Sequence, residues 1–250
     1  MHSLDKRFLN EIKRVLPSHT ILLSEEQRKP YECDGLSGYR ALPGVVLLPD
    51  TVDAVQKILA LCQRYQIPVV ARGAGTGLSG GATPHPEGVL LSMARFNQVL
   101  SIDQVAATAR VQPGVRNLAI SEAVADFGLY YAPDPSSQIA CTIGGNVAEN
   151  AGGVHCLKYG LTVHNVVSAQ VVLMGGEILE IGGEALDNPG YDLLAAFVGS
   201  EGMLGVVTEV TVRLLPRPIA AKALMSSFDS TEEAAAAVAR IIAEGIIPAG

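Results

Sequence analysis

Residues 72–81 read Arg-Gly-Ala-Gly-Thr-Gly-Leu-Ser-Gly-Gly and directly follow the apolar run at residues 67–71. Glycine loses more backbone entropy on folding than any other residue. A cluster of glycines therefore indicates positive φ angles or a close approach of backbone N–H groups to a ligand. Because Arg72 opens the loop and phosphates are the usual ligands of such backbone, the sequence predicts a pyrophosphate cradle at the end of a strand.

The glycine loop resembles two familiar nucleotide motifs but fits neither. Residues 75–80 match the Gly-x-Gly-x-x-Gly pattern of a Rossmann site, and Asp103 lies near the distance expected for its ribose partner. A Rossmann motif requires a helix that starts within it, whereas Pro84 and Pro86 follow here and exclude one. The chain contains no Gly-Lys-Ser or Gly-Lys-Thr, which excludes a Walker loop.

Composition narrows the class of protein. The chain has 250 residues and is 48% hydrophobic, enough for one large domain or two modest ones. Its net charge of −7 argues against a nucleic-acid surface. The longest uncharged apolar stretch, residues 166–176, is too short to cross a bilayer, and the charged first 17 residues predict no secretory signal. We therefore expect a cytoplasmic protein.

The four cysteines are widely separated and form no Cys-x-x-Cys pair. This spacing argues against a zinc site and against an iron–sulfur cluster within these residues. We expect reduced structural thiols and predict no metal site in this chain.

Hydrophobic periodicity predicts a βαβ unit around the glycine loop. It has a strand at 44–48, Asp50 or Thr51 as the N-cap, a helix at 52–65 and a strand at 67–71. An amphipathic helix at 4–16 opens the chain, and a polar, irregular stretch follows to about residue 40. Further predicted elements are a strand at 88–93, two irregularly paired strands within 99–111, a helix at 116–127 stopped by Gly128, a hairpin at 166–181, a helix at 191–198 and a long strand at 205–215 closed by Pro216 and Pro218.

The last part of the chain predicts a strand at 223–228, a helix at 231–244 with a capping start at Thr231, and the beginning of another strand. One such ribbon cannot bury its far face by itself. We therefore expect an incomplete α+β unit, typical of a truncated or fragmentary chain.

Two further glycine-bearing segments accompany the first loop. Residues 142–153 read Thr-Ile-Gly-Gly-Asn-Val-Ala-Glu-Asn-Ala-Gly-Gly, followed by Lys-Tyr-Gly at 158–160. Such small side chains and amides can lie edge-on to a flat heteroaromatic ring. Residues 199–208 form the third cluster. Three separated loops whose backbones permit close approach indicate one long ligand threaded between subdomains.

Five motifs in order, PVVARGAGTGLSGG, APDPSS, TIGGNVAENAGG, KYG and GSEGMLGVVTEV, resemble the flavin-binding domain of the vanillyl-alcohol oxidase and p-cresol methylhydroxylase superfamily. The resemblance covers residues 20–250 and is strongest to the D-lactate, D-2-hydroxyglutarate and glycolate dehydrogenase branch, which includes the large flavoprotein subunit of bacterial glycolate oxidase. It implies an α+β fold. Residues 42–218 would form a PCMH-type FAD-binding domain of two α/β subdomains, 1–41 a helical lead, and 219–250 the start of an incomplete cap domain.

The resemblance also implies a cofactor site for FAD. The first loop would hold the pyrophosphate, and residues 134–137 and 142–146 would pass along the ribityl chain and isoalloxazine. Residues 148–153 would complete the wall, and residues 201–207 would receive the adenosine half. The implied cofactor-binding residues are Arg72, Gly73, Ala74, Gly75, Thr76, Gly77, Ser79, Gly80, Asp134, Pro135, Ser136, Ser137, Thr142, Gly144, Gly145, Asn146, Ala148, Asn150, Ala151, Gly152, Gly153, Tyr159, Gly160, Glu201, Gly202, Gly205, Val206 and Val207.

The resemblance implies a noncovalent cofactor. Members that tether FAD usually place a histidine at about the position of Thr76, and the remaining candidates for a tether, His155 and Cys156, are disfavoured. The implied activity is oxidation of a small 2-hydroxy acid, such as glycolate or D-lactate, by hydride transfer to flavin N5. In that family the metal ligands and substrate clamps belong to later segments, so no catalytic residue is predicted here and the fragment alone is expected to be inactive.

The implied partners are a second flavin-binding subunit and an iron–sulfur subunit, through which the protein would be peripheral to the inner membrane. Two alternatives stay open. The chain would be a noncatalytic flavin-binding or electron-transfer subunit of such a complex, or an inactive remnant.

For several charged and histidine side chains, the sequence is compatible with either a role in binding or catalysis or a purely structural or surface role. For Arg72, contact with the bound anion is favoured over a solvated position. His85, His155 and His164 have no partner readable from spacing, so structural or surface roles are predicted. Glu149 and Lys158 are either ring-side charges or exposed loop charges, and residues 209 and 213 are assigned to the solvent face of a strand.

Overall fold

The structure is a computed structural model that describes residues 4–183, 185 and 190–249. Gly250, at the end of the predicted ribbon, and residues 1–3 of the predicted lead lie outside the described residues. The helices are α1 (Lys6–Val15), α2 (Glu25–Arg28), α3 (Val52–Tyr65), α4 (Asn117–Ala123), α5 (Ile143–Glu149), α6 (Cys156–Tyr159), α7 (Thr162–Asn165), α8 (Leu193–Phe197) and α9 (Thr231–Ala243). The strands are β1 (Ile21–Leu22), β2 (Val45–Leu47), β3 (Val69–Arg72), β4 (Val89–Ser92), β5 (Val99–Asp103), β6 (Thr108–Val111), β7 (Leu129–Tyr130), β8 (Val166–Val172), β9 (Ile178–Gly182), β10 (Val206–Arg213) and β11 (Leu215–Pro216).

The first sheet contains the predicted βαβ unit. Its strand order is β1-β2-β4-β3, with β2 and β3 each parallel to β4 and with β1 antiparallel to β2. Helix α3 connects β2 to β3, and the Thr51 side chain caps it by accepting a hydrogen bond from the N–H of Ala54 at 3.3 Å. Helices α1 and α3 share a core with this sheet, in which Phe8, Ile12 and Ile58 are fully buried. Glycine loop 72–81 therefore leaves the sheet from β3, the edge strand beside β4.

The second sheet is entirely antiparallel, in the order β5-β6-β10-β8-β9. Its inner face packs against α5 and α8, and the central strand β10 contributes the fully buried Val210 and Val212. The opposite face carries polar side chains, among which Glu209 forms an ion pair with Arg110 of β6. This alternation agrees with the solvent face predicted for β10, and the α+β class is confirmed.

The two cores meet where β10 begins. Val206 packs into the core of the first sheet, whereas the next residue, Val207, packs into that of the second. The Gln56 side chain of α3 also donates a hydrogen bond to the carbonyl of Gly176, in the β8–β9 turn, at 2.7 Å. Residues 199–205 therefore enter β10 at the junction of the two sheets.

Three sequence-based predictions are corrected. Residues 18–40 are not simply irregular, because they contain β1, which exists only by pairing with β2, and α2, which has a capping box at Ser24. The helix predicted at 116–127 divides into α4 and a 3₁₀ turn at Ala125–Phe127, although Gly128 does end it with a φ of 68°. No strand forms at 223–228, where Leu224 and Met225 are fully exposed and pair with no neighbouring strand.

Helix α9 matches its prediction, although its N-cap is Ser230, which accepts a hydrogen bond from the N–H of Glu233 at 3.2 Å. The part of the chain that the structure describes holds no helix with the length and apolarity to cross a membrane.

Candidate cofactor-binding cleft

The glycine loop is anchored by a buried arginine. Arg72, the last residue of β3, is 8% exposed, and its Nη1 donates hydrogen bonds to the carbonyls of Cys33 at 2.7 Å and Ala82 at 3.3 Å. Burial lowers the pKa of the Arg72 guanidinium, which nevertheless stays charged because the ordinary value is so high. Arg72 is therefore not a solvated surface arginine; it ties both ends of the loop region together.

Gly75 shows why the loop needs glycine. Its φ is 70°, and a Cβ atom there would lie within 2.4 Å of the Arg72 guanidinium carbon. Any other residue would displace the arginine and strain the backbone. The guanidinium thus lies directly beneath the turn of the loop, where its charge favours an anion bound above.

The second glycine segment is a helix rather than a loop, which corrects the prediction. Helix α5 follows the N-cap residue Thr142, and Gly144 and Gly145 lie in its first turn. Ile143 and Val147 are fully buried in the second core, and their burial outweighs the low helix propensity of the two glycines. The glycine pair leaves one side of the helix without side chains, facing the cleft.

The third segment is joined to α5 by two backbone hydrogen bonds. The N–H of Gly199 donates to the carbonyl of Val147 and that of Glu201 donates to Ala148, both at 2.8 Å. Gly199, Glu201 and Gly202 all have positive φ angles. These bonds hold residues 199–202 beside the helix, so the first loop, α5 and the third segment form the walls of one cleft.

The enclosed part of the cleft has a volume of about 230 Å³, and its mouth opens to solvent. The predicted residues that line it are Arg72, Gly73, Ala74, Gly75, Thr76, Gly77, Pro135, Ser137, Thr142, Gly144, Gly145, Asn146, Ala148, Ala151, Glu201, Gly202, Gly205, Val206 and Val207. The lining residues that sequence reasoning missed are Asp34, Ala71, Gly81, Ala82, Met93, Pro113, Cys141 and Phe197. Glu149, for which the sequence left a ring-side and an exposed position open, also lines the cleft.

Some predicted residues do not line the cleft: Ser79, Gly80, Asp134, Ser136, Asn150, Gly152, Gly153, Tyr159 and Gly160. Several of these support its walls. The Asn150 carboxamide oxygen accepts a hydrogen bond from the N–H of Val163 at 3.0 Å, and the Ser79 hydroxyl donates to Glu149 at 2.7 Å. A Cβ atom at Gly153 would lie 2.3 Å from the Asp134 carbonyl oxygen, so this glycine permits close packing of two loops.

One histidine has a carboxylate partner that spacing did not reveal. The Nδ1 atom of His155 lies 2.6 Å from Asp134 Oδ2, and the backbone N–H of His155 donates to Asp134 Oδ1 at 3.2 Å. His85 and His164 have only local contacts, each accepting a backbone N–H at Nδ1. Because residues 134 and 155 are distant in sequence, the pair follows from the folding of two loops. It lies on the wall of a second cavity of about 490 Å³, which Tyr130 and Tyr159 also line.

Two unsatisfied side-chain atoms test whether the cleft fits FAD. Thr142 Oγ1 and Asn146 Nδ2 are buried and have no hydrogen-bond partner. Both residues line the cleft. A buried polar group without a partner is unfavourable, and FAD carries hydroxyl, carbonyl and phosphate groups that can serve either atom. The residues present therefore fit this cofactor.

Among the residues that the structure describes, no three His, Cys, Asp or Glu side chains lie close enough together to bind a metal ion. The four cysteines are free thiols.

Comparison with known proteins defines the class. Residues 43–182 match the family model described as FAD binding domain, which is more than half of the chain. The chain therefore belongs to the FAD binding domain family, and FAD is its cofactor.

Among curated proteins, the chain is similar to glycolate oxidase subunit GlcD from Escherichia coli (strain K12), with 63% identity over 97% of this chain and 48% of that protein. It is 45% identical to glycolate oxidase subunit GlcD from Bacillus subtilis (strain 168), over 90% of this chain and 48% of that protein. For D-lactate dehydrogenase from Anaerostipes hadrus the identity is 34%, over 96% of this chain and 50% of that protein. The chain thus spans about half the length of these relatives.

Among solved structures, alkyldihydroxyacetonephosphate synthase superimposes with a TM-score of 0.82 and 22% identity, covering 100% of this chain and 48% of that one. At this identity the likeness establishes the fold alone.

Proposed function

We propose that this chain supplies the FAD-binding part of an oxidoreductase that oxidises a small 2-hydroxy acid such as glycolate or D-lactate. The single observation that carries the proposal is the 63% identity to a glycolate oxidase subunit over 97% of the chain. The similarity to a D-lactate dehydrogenase supports the same reaction class. When bound, FAD would supply the acceptor for the hydride of the substrate, which carries both electrons of the oxidation.

The chain's own residues bind and orient the cofactor in this proposal. Backbone N–H groups of the glycine loop hold the pyrophosphate, with the Arg72 charge beneath them. Side chains of Thr142 and Asn146 offer their unpaired atoms to the cofactor, and Val206 and Val207 at the start of β10 close the cleft from the other side. We assign the 28 cofactor residues named from the sequence to this role, directly or as supports of the cleft walls.

The proposed domain division follows the same function. Residues 42–218 would be the FAD-binding domain, residues 1–41 a lead packed on its first sheet through Phe8 and Ile12, and 219–250 the beginning of a cap domain. The exposure of Leu224 and Met225 supports a separate unit after Pro218.

Partner subunits are part of the proposal. Two relatives carry the word subunit in their names, which supports a complex. We propose a second flavin-binding chain and an iron–sulfur chain as its other members, with attachment to the inner membrane through these partners.

The test is the absorbance spectrum of the purified chain before and after acid precipitation. A noncovalent cofactor, which we propose because Thr76 occupies the position of a tethering histidine, is released into the supernatant. Colour that stays in the pellet would contradict the noncovalent assignment, and a chain without flavin that also fails to bind added FAD would contradict the proposed cofactor role.

The second candidate is a noncatalytic flavin-binding or electron-transfer subunit, favoured by the subunit names of the relatives. Reduction of the bound flavin by glycolate or D-lactate in the full-length protein distinguishes the two. Bleaching at 450 nm on substrate addition supports the dehydrogenase, whereas bleaching only with a partner subunit present supports the alternative.

A further inference from the structure

One acidic side chain in the cleft comes from a segment that neither the glycine motifs nor the family match includes. Asp34 lies before residue 43, where the family match begins, and it lines the cleft beside the glycine loop. The residue is 6% exposed. Its Oδ1 accepts a hydrogen bond from the N–H of Leu36 at 2.8 Å, whereas its Oδ2 is buried without a partner. One carboxylate oxygen therefore serves the local turn and the other is unsatisfied.

The backbone around Asp34 is fixed to the glycine loop. Arg72 Nη1 donates to the carbonyl of Cys33 at 2.7 Å, and the N–H of Gly35 donates to the carbonyl of Gly77 at 2.9 Å. The Tyr31 ring lies 5.7 Å from the Arg72 guanidinium carbon. A Cβ atom at Gly35 would lie only 2.8 Å from the Gly77 carbonyl oxygen. The backbone of Asp34 is thus held at the loop by contacts on both sides.

The hydrogen-bonding properties of Asp34 Oδ2 determine which kind of ligand group can pair with it. A carboxylate oxygen accepts hydrogen bonds and cannot donate them while ionised, so a ligand must bring an O–H or N–H group. The phosphates of FAD are ionised and bring none. The groups that flank the pyrophosphate on either side, the ribityl chain and the adenosine ribose, both carry hydroxyls. A hydroxyl is therefore the donor nearest to a residue that sits against a pyrophosphate loop.

We propose that Asp34 is a cofactor-binding residue whose Oδ2 accepts a hydrogen bond from a sugar or ribityl hydroxyl of FAD. This proposal rests on the proposed cofactor role of the cleft. It extends the cofactor site to the segment at residues 31–36, which the glycine loop holds through Arg72 and Gly77.

The test is Asp34→Asn. The carboxamide oxygen of Asn keeps the bond to Leu36 N–H, and its NH₂ group replaces the accepting Oδ2, so the turn is retained and only the acceptor is lost. The matched control is Asp103→Asn, because the Asp103 side chain caps a similar turn, accepting the N–H of Val105 at 2.9 Å, but it is exposed and does not line the cleft. The measurement is FAD fluorescence in a titration of the flavin-free protein, together with melting temperature.

We expect D34N to raise the Kd for FAD about tenfold, the loss typical of one hydrogen bond to a charged group, with D103N unchanged and neither variant melting lower than wild type. Titrations of D34N with FMN, which contains the ribityl chain, and with ADP, which contains the adenosine ribose, locate the hydroxyl. Only the compound that carries the bonded hydroxyl is expected to bind D34N more weakly than wild type. Equal FAD affinity of D34N and wild type would overturn the assignment of Asp34 alone. A wild-type protein that binds no FAD would overturn both this proposal and the proposed function.

Asp34→Ala separates the two oxygens. It removes both acceptors, so we expect a lower melting temperature than D34N with the same weak FAD binding. If D34N itself melts as low as D34A and loses its folded circular dichroism spectrum, Asp34 is a structural residue and the proposal is wrong.

Discussion

Arg72 illustrates how a single residue joins segments that are distant in sequence. Its guanidinium bonds to the carbonyls of Cys33 and Ala82 and lies beneath Gly75. The planar fork of donors makes these contacts possible, and a lysine ammonium cannot reproduce them. The Arg72 guanidinium, which the sequence predicts to bind an anion, therefore also holds the segments at Cys33 and Ala82 together.

Arg72→Lys is expected to destabilise the protein by about 2 kcal/mol, because it leaves the partly buried carbonyls of Cys33 and Ala82 without the guanidinium donor. For a protein of this size that corresponds to a drop in melting temperature of roughly 4–8 °C. The control is Arg95→Lys, whose ion pair with Asp50 at 3.1 Å is exposed. Such pairs contribute less than about 1 kcal/mol. Differential scanning calorimetry that finds equal melting temperatures for both variants would contradict the structural role of Arg72.

The cysteines differ in reactivity because they differ in burial. Cys62 is fully buried in the first core, and burial raises the pKa of its thiol to about 12. Cys33 and Cys156 are partly exposed. At pH 8 we expect iodoacetamide to modify Cys33 and Cys156 in the native protein and to leave Cys62 intact, since the thiolate is the reactive form. Peptide mass spectrometry reads the sites, and modification of all four cysteines in urea is the control.

At the scale of elements, the two glycines in the first turn of helix α5 have different neighbours. A Cβ atom at Gly144 would lie 2.6 Å from the Pro113 Cβ, whereas one at Gly145 would lie 3.6 Å from the Thr142 hydroxyl, an ordinary contact. The first glycine permits packing against the Pro113 loop, and the second keeps the cleft open. The two positions therefore separate stability from binding.

Gly144→Ala is expected to lower stability by about 1 kcal/mol, because the overlap with Pro113 exceeds the gain in helix propensity. Gly145→Ala is expected to leave stability unchanged or raise it by up to about 1 kcal/mol, while its methyl group narrows the cleft and weakens FAD binding. Urea unfolding and FAD titration measure the two effects. A G145A protein that binds FAD as tightly as wild type would argue that α5 does not contact the cofactor.

At the scale of the whole molecule, two sheets with separate cores enclose the cleft, and residues 219–249 lie outside both cores. Ile219, Leu224 and Met225 are fully exposed, and α9 has no buried residue. The contrast with the packed region predicts where the chain opens most easily.

Limited trypsin digestion of the native protein is therefore expected to cut first after Lys222, in the exposed segment that precedes α9, because Pro218 blocks cleavage after Arg217. Mass spectrometry of the early fragments identifies the sites. Arg64 serves as an internal control, since it lies in α3 and pairs with Glu11, so cleavage there should come only after unfolding. Early cleavage within α3 would contradict the packing of the first core.

Local rules predicted much of the fold and part of the site. Helix α3 and strands β2, β4 and β8 follow from hydrophobic periodicity with residues such as Thr51 as caps, because period and capping depend on neighbours in sequence. The same rules misjudged α5, where burial of Ile143 and Val147 overrides two glycines, and β1, which needs β2 as its partner. They also predicted a strand at 223–228 that has no pairing partner.

The sequence by itself predicted a phosphate-binding loop, because glycines without Cβ atoms permit close backbone approach, and the resemblance of its ordered motifs to a flavin-binding domain implied FAD. Only the tertiary structure decided that Asp34 lies in the cleft, that Arg72 is tied to Cys33, and that Asp134 meets His155. Each of these contacts joins residues far apart along the chain. Such contacts depend on how two cores pack, and packing is a property of the folded molecule that no local pattern encodes.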